Sequence, residues 1–376
     1  MRQQRVPPIR SSLLCLTLLA TLLAASPEPG GASRPGPGPG TYTLEPEGDS
    51  IRIPFEMFRG DIRMNGRING HEARMLIDNG ALWDQLLFFG SESVDALGLE
   101  REGKIQVGGA GSGAVSLSDL AEGIEVRFEG VDGRTLTFHD QVGIITPYEP
   151  GEPNPWWGSE GQVSAQFFKH FLVELDFEDG IITLTKPERF QAEGKGRPIP
   201  ITPMQASPSW SIPGRLTLHD GRSLDLDLTM DLGWNEPLGI TTGQTHDIRV
   251  PAGLERQPLG VGAQGRIFGY LGTVPALEIG AHRLGDIPTT YASIEDGGSR
   301  GDEVLVGMGI FRRFHVVFDY PGHRVFLRPN AHFDDPFDPA EGRAQPQDGE
   351  DGPGGEGSPD DGGSGARTDA GSRRGL

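Results

Sequence analysis

Two aspartates in this chain are each followed, two residues later, by glycine. Asp78 lies in Met75-Leu76-Ile77-Asp78-Asn79-Gly80-Ala81 and Asp231 in Leu228-Thr229-Met230-Asp231-Leu232-Gly233-Trp234. If the fold brings them together, the chemistry is that of paired carboxyls. Two such groups about 3 Å apart cannot both ionise, so the pair keeps one proton near neutral or acid pH. The ionised member can then take a proton from a bound water while its partner polarises a carbonyl. A single turn aspartate after a strand is commonplace; duplication in matching context is what gives these two meaning. Phe168-Lys169-His170-Phe171-Leu172-Val173-Glu174-Leu175-Asp176-Phe177 returns as Phe311-Arg312-Arg313-Phe314-His315-Val316-Val317-Phe318-Asp319-Tyr320, so that 98 residues separate Asp78 from Asp176 and 88 separate Asp231 from Asp319. An internal repeat fixes architecture before any single element does. Here it predicts two related lobes, each giving one aspartate to a common centre.

The elements that must position these residues read as short strands. Residues 67–77 form two apolar-rich runs around Asn69-Gly70, a hairpin signal. Ile124-Glu125-Val126-Arg127-Phe128 alternates as a half-buried strand does, and Thr135-Leu136-Thr137-Phe138 follows after a turn. The second half repeats the style with Arg215-Leu216-Thr217-Leu218, an Asp220-Gly221 turn and residues 224–228. Helical periodicity is confined to short stretches, Ser164–Phe171 and Gly309–Phe314, each leading into a strand that ends in aspartate and an aromatic residue. Each half also carries a glycine-rich segment about thirty residues after its aspartate: Gly108, Gly109 and Gly111 in the first, Gly260 and Gly262 in the second. Glycine suits a hairpin tip that adopts positive φ or approaches a ligand with its backbone; a flap over a cleft and a plain turn both fit.

The 376 residues allow two modest domains. Arg2, Arg5 and Arg10 before the apolar run Leu13–Ala25 have the order of a secretory signal, and the run is short for a membrane span. Cys15, inside that run, is the only cysteine, so a processed chain would hold neither disulfide nor thiolate site. Composition divides the chain into a signal peptide (1–32), a Pro/Gly-rich linker (33–50), a first lobe (51–189), a connector (190–200), a second lobe (201–330) and an acidic tail expected to be disordered (331–376). An exported protein with no stable transmembrane segment after signal removal is expected. The net charge of −20 argues against nucleic acid, whose binding depends on Lys and Arg neutralising phosphate.

Other patterns carry less. Gly260–Gly265 matches Gly-x-Gly-x-x-Gly, but strand-like Val274–Ile279 follows where a dinucleotide site needs a helix. Gly297-Gly298-Ser299-Arg300-Gly301 matches the esterase serine pattern within a polar loop, without a strand-to-helix elbow. The nine histidines are dispersed, with no His-x-x-x-His pair, so no metal and no cofactor is expected. Trp156-Trp157 offers an aromatic loop that could touch substrate or pack over a lobe edge.

Taken together, the two Asp-x-Gly loops, the glycine-rich segments and Val304-Leu305-Val306-Gly307-Met308-Gly309-Ile310-Phe311 resemble the retropepsin-like aspartic peptidases over roughly Arg52 to Arg328. The resemblance implies an all-β fold of two β-barrel lobes related by a pseudo-two-fold axis, with few short helices. It implies Asp78 and Asp231 as the catalytic pair, with Asn79, Gly80, Gly233 and Asn235 supporting the dyad loops and the five glycines in flaps that bind a peptide or protein substrate. The chain departs from the family pattern at several positions. The family has a hydroxyl after each aspartate where this chain has Asn79 and Leu232; Asn79 can bond across the loops and Leu232 cannot. Leu82 brings no polar group to the fifth position, Trp234 is far bulkier than the usual small residue, and Ser164 stands where glycine is expected. Two readings follow: an exported aspartic endopeptidase, or a protein of the same fold that binds peptides or proteins without cleaving them. Facing carboxyls within hydrogen-bond reach favour the first; a Trp234 side chain wedged between the loops favours the second.

Overall fold

The computed structural model describes residues 40–113, 115–149, 158–205, 207–262, 264–298 and 303–337. These fall within one compact unit, Pro37–Leu376. The expected signal segment, Trp156-Trp157, Ser299 and the chain beyond residue 337 lie outside the described residues. Among those described, no helix is long and apolar enough to cross a membrane.

The expected two-lobed, all-β architecture is present. Its local origin is visible in the hairpin that delivers Asp78. Strand Asp61–Ile68 turns at Asn69 (φ 48°) and Gly70 (φ 83°) and returns antiparallel as His71–Ile77, the positive φ values that a two-residue primed turn requires. Ala73, Met75 and Ile77 point into the core. Strand Gly161–Val163 then pairs in parallel with Met75–Ile77, and the Asp78 N–H donates to Val163 O at 3.1 Å. The second lobe repeats every step. Strands Trp210–Thr217 and Ser223–Met230 form the hairpin, Thr229 and Met230 pair in parallel with Leu305 and Val306, and the Asp231 N–H donates to Val306 O at 3.0 Å. Each aspartate thus leaves the end of a strand clamped on both sides, inside a nine-stranded sheet in lobe one and an eight-stranded sheet in lobe two.

A third, six-stranded sheet joins the lobes. At its centre Leu172–Asp176 runs antiparallel to Phe314–Asp319, with Val173 opposite Phe318, Glu174 opposite Val317 and Leu175 opposite Val316. These are the two copies of the repeated passage. Glu174 faces its own counterpart Val317, and the flanking residues exchange, so the pseudo-two-fold axis passes through that pair. Behind it, Phe168, Phe311 and Phe318 are fully buried, with Phe318 edge-on to Phe168 and Phe311 at centroid distances of 5.8 and 5.5 Å.

Several boundaries differ from those read off composition. Strand Tyr42–Glu45, within the stretch taken as linker, pairs with Thr135–Phe138, and Pro198–Pro200 of the connector pairs with Arg324–Phe326. Residues 331–337 of the expected tail pack on lobe two: the Arg313 guanidinium donates to the carbonyls of His332, Phe333 and Asp335 and lies 3.7 Å from the Phe337 ring centroid. Both expected helices are single turns, Ala165–Phe168 and Met308–Phe311, buried throughout. Apolar except for Gln166, whose amide donates to Asp84 O at 2.8 Å, they turn at once into the central strands.

Truncating Phe318 removes the ring shared by both lobes. Phe318→Ala should cost about 3–5 kcal/mol, seen as an earlier urea midpoint that tryptophan fluorescence and circular dichroism report together.

Candidate active site

The strand ends bring Asp78 and Asp231 face to face across the lobe boundary, where their carboxyls share a hydrogen bond. Glycine is required here by proximity. A Cβ on Gly80 would overlap the Asp231 carboxyl, and one on Gly233 would lie 3.1 Å from Asp78 Cγ. Each glycine N–H turns back on its own aspartate, Gly80 to Asp78 Oδ1 at 2.7 Å and Gly233 to Asp231 Oδ1 at 2.8 Å. Gln162 Nε2 donates to the other Asp78 oxygen at 2.8 Å. Burial pushes the Asp78 carboxyl above the ordinary carboxylate range, against the opposing pull of donors from Gly80, Gln162 and Gly233. The two groups titrate as a pair.

Asn79 locks the loops from one side. Its Oδ1 accepts from the Leu232 N–H at 2.7 Å, and its Nδ2 donates to the Tyr320 hydroxyl at 2.9 Å. One acceptor and one donor fix the orientation of the amide. Tyr320 is itself buried, stacked on Phe318 and tilted against Trp210, and burial raises its pKa so that it stays a phenol. Leu232 contributes its backbone N–H while its side chain enters the core. The two loops are thereby joined by one amide that reaches across.

The other departures also find places. Ser164 Oγ donates to Ala81 O at 2.9 Å, tying the first dyad loop to the short helix. Gly307 occupies the matching position in lobe two, where a Cβ would overlap the carbonyls of Trp234 and Glu236. Leu82 packs on the core, and its N–H donates to Pro208 O. Ser209 Oγ donates to the Gly80 carbonyl. The Trp234 ring covers Gly239 and Gly307 of its own lobe and forms a wall of the cleft; it is not wedged between the loops. Asn235 is placed differently from the expectation. It donates to Arg59 O at 3.1 Å and lies beside Asp61, not on either dyad carboxyl.

The five glycines cluster at the roof. The hairpin of strands Arg101–Val107 and Ser116–Glu129 meets that of Arg256–Gly262 and Gly265–Ile279 tip to tip. Gly113 N–H donates to Gln264 O at 2.7 Å, Gln264 N–H to Ala110 O at 2.8 Å and Ser112 N–H to Arg266 O at 3.0 Å, and the Gly109 N–H reaches the Gln264 side-chain carbonyl. A Cβ on Gly111 or Gly262 would collide with the opposite tip, whereas Gly108 and Gly260 have open space. Between roof and dyad lies a cavity of about 430 Å³ with apolar walls that include Leu76, Trp83, Phe89, Ile267 and Leu305, within the usual size of a ligand pocket.

Gln162, Tyr320 and Asp61 were not singled out in the sequence. Tyr320 had a visible signal: the repeat places tyrosine there against Phe177. Asp61 opens the strand leading to the Asp78 hairpin, half-buried in the cleft, and burial together with the Asp78 charge pushes its pKa up to about 7. The only group of metal-type donors that the fold assembles among the described residues is Asp176, Glu178 and His315. It lies on the joining sheet, where His315 pairs with Glu178 at 2.7 Å and Asp176 Oδ1 already accepts two backbone N–H groups of its turn.

No family model and no curated protein matches this chain. Among solved structures it is similar to basic 7S globulin from soybean, at 10% identity over 74% of this chain and 96% of that one with a TM-score of 0.42. It is also similar to conglutin gamma, a basic 7S globulin from lupine seeds, at 11% identity over 76% and 96% with a TM-score of 0.45.

Asp61 binds a proton in the folded state that it lacks when unfolded, between its ordinary value of 3.8 and about 7. Its contribution to stability is therefore complete below about pH 4 and is lost as pH rises through 7. Asp61→Asn should remove that loss and raise stability at pH 8 by about 2 kcal/mol, a discounted fraction of the full shift. The gain should vanish at pH 3.5, as read by thermal melts across pH.

Proposed function

We propose that this protein holds an extended peptide in the cleft between its lobes and hydrolyses it with the Asp78/Asp231 pair. The observation that carries this reading is the mutual hydrogen bond of the two carboxyls at the floor of an otherwise largely apolar cavity. Sharing one proton, the pair contains a base and an acid at once. The ionised carboxyl takes a proton from a water lying between them, the resulting hydroxide adds to the peptide carbonyl, and the protonated carboxyl hydrogen-bonds the developing oxyanion. Collapse of the tetrahedral adduct then passes a proton to the leaving amine. Gln162 donates to Asp78 Oδ2, so it favours the charged form of Asp78. The roof hairpins offer strand edges with which a peptide backbone can pair. Export, the reading of the first 32 residues, would place this activity outside the cytoplasm.

A second reading, peptide binding without cleavage, is supported by Leu232, which leaves the cross-loop lock to Asn79 alone. Lost positioning of about 1 Å costs on the order of a hundredfold in rate. Both readings require peptide binding and differ in turnover.

Peptide libraries incubated with the protein from pH 3 to 8 should be cut, and Asp78→Asn or Asp231→Asn should each lower the rate on the order of 10²–10⁴-fold. Binding that survives with no cleavage at any pH, in protein shown to be folded, would select the second reading. Gln162→Met removes a donor that holds Asp78 ionised. The acid limb of the pH–rate profile should therefore move to higher pH, and an unmoved limb would remove Gln162 from the dyad's electrostatics.

A further inference from the structure

The cavity is acidic as well as apolar. Among the described residues, the side chains lining it include three carboxyls, Asp61, Asp78 and Asp231, and no Lys, Arg or His. The dyad accounts for two. Asp61 takes no part in the bonding that fixes the dyad, and its position follows from strand register. Arg63 pairs with Leu76 across the Asp78 hairpin. Asp61 opens that strand, two residues before Arg63, and lies near enough to Asp78 for the two charges to act on each other. Like charges this near one another are unfavourable, so simple structural stability does not explain an aspartate there.

Nor does an ion pair within the chain. Arg63, on the same strand, is bonded to Glu56 at 2.6 Å, and its guanidinium lies 3.7 Å from the Phe58 ring centroid. Among the described residues no salt bridge reaches Asp61, and its neighbour from the second lobe is the neutral amide of Asn235. A half-buried carboxyl without a cationic partner is costly; in a binding cleft the ligand can supply that partner.

We propose that Asp61 is a specificity-determining residue, seating a Lys or Arg side chain of the bound peptide next to the dyad. This rests on the reading of the cleft as a peptide site, but not on peptide cleavage. The ammonium or guanidinium would meet Asp61 as its only unshared carboxylate, while the dyad, retaining one proton, keeps its own pairing. The aliphatic stem of the same side chain would lie along the apolar wall, as long basic side chains do. The raised pKa fits this role: burial and the Asp78 charge outweigh the pull of the Asn235 amide and of the Arg63 charge, and a bound cation would redress that balance.

The test uses N-acetylated, C-amidated octapeptides with Lys, Arg or norleucine placed at each position in turn. Blocked termini ensure that no α-amine can supply the cation. Binding to the full chain is read by fluorescence anisotropy at pH 8, in parallel with cleavage. At one position Lys or Arg should bind about 10-fold tighter than norleucine, the scale of one charge-assisted pair in a partly desolvated site. Asp61→Asn, which keeps the shape of the side chain, should shrink that ratio to about 2-fold or less, and Asp78→Asn should preserve it. Absence of any cation preference in the unmutated protein overturns the assignment without reference to a variant, and so does a preference unchanged by Asp61→Asn. Peptides bound with the preference but never cut would overturn hydrolysis alone. Peptides cut without the preference would overturn the role of Asp61 alone. No binding of any peptide would overturn both.

Discussion

Two carboxyls held within hydrogen-bonding reach repel each other unless they share a proton, and the cost of holding them there falls on the surrounding backbone. Each aspartate sits at the end of a strand clamped by a parallel neighbour, with its own N–H bonded to that neighbour's last residue. The missing Cβ atoms of Gly80 and Gly233 leave the room in which the groups meet. The six-stranded sheet sets the two lobes in mutual register, because the repeated passages pair antiparallel about Glu174 and Val317. Strand register, loop composition and lobe pairing therefore converge on one short contact.

Around that contact the symmetry ends. Gln162 bonds Asp78. The amide of Asn79 is anchored by Tyr320 at a position where the first lobe has Phe177. Asp61 adds a further negative charge on the side of Asp78. Unequal surroundings are what separate an acid from a base in a pair of chemically identical groups. The backbone supplies the proximity, and these few side chains supply the difference.

The backbone part was legible in the sequence. Both Asp-x-Gly loops, the glycine tips and the repeat that becomes the central strand pair were visible as patterns, because they depend on spacing and on the special geometry of glycine. The asymmetric part was much less so. Gln162 and Tyr320 reach the dyad loops from 84 and 241 residues away in the chain, a distance that no local pattern spans. Asn235 was placed by analogy of position, yet its bond to Arg59 draws it toward Asp61. Composition also misjudged the ends of the packed chain. Tyr42–Glu45 is a strand beside a Pro/Gly-rich segment, and Phe333 and Phe337 are apolar residues among acidic ones whose burial depends on lobe two.

The one-sided lock has a consequence for how the halves can change. In a dimer of identical chains, a residue that bridges the two loops is present twice, and both copies must tolerate the same neighbours. In this chain Asn79 does the bridging for both loops, while position 232 gives only its backbone N–H and commits its side chain to the hydrophobic interior. The two positions have become complementary and can no longer be exchanged. Leucine at 79 would leave the Leu232 N–H and the Tyr320 hydroxyl without their partner, and asparagine at 232 would bury an amide in the core. Covalent fusion of the lobes is what permits such a division of labour, because it frees each half from having to fit its own mirror role.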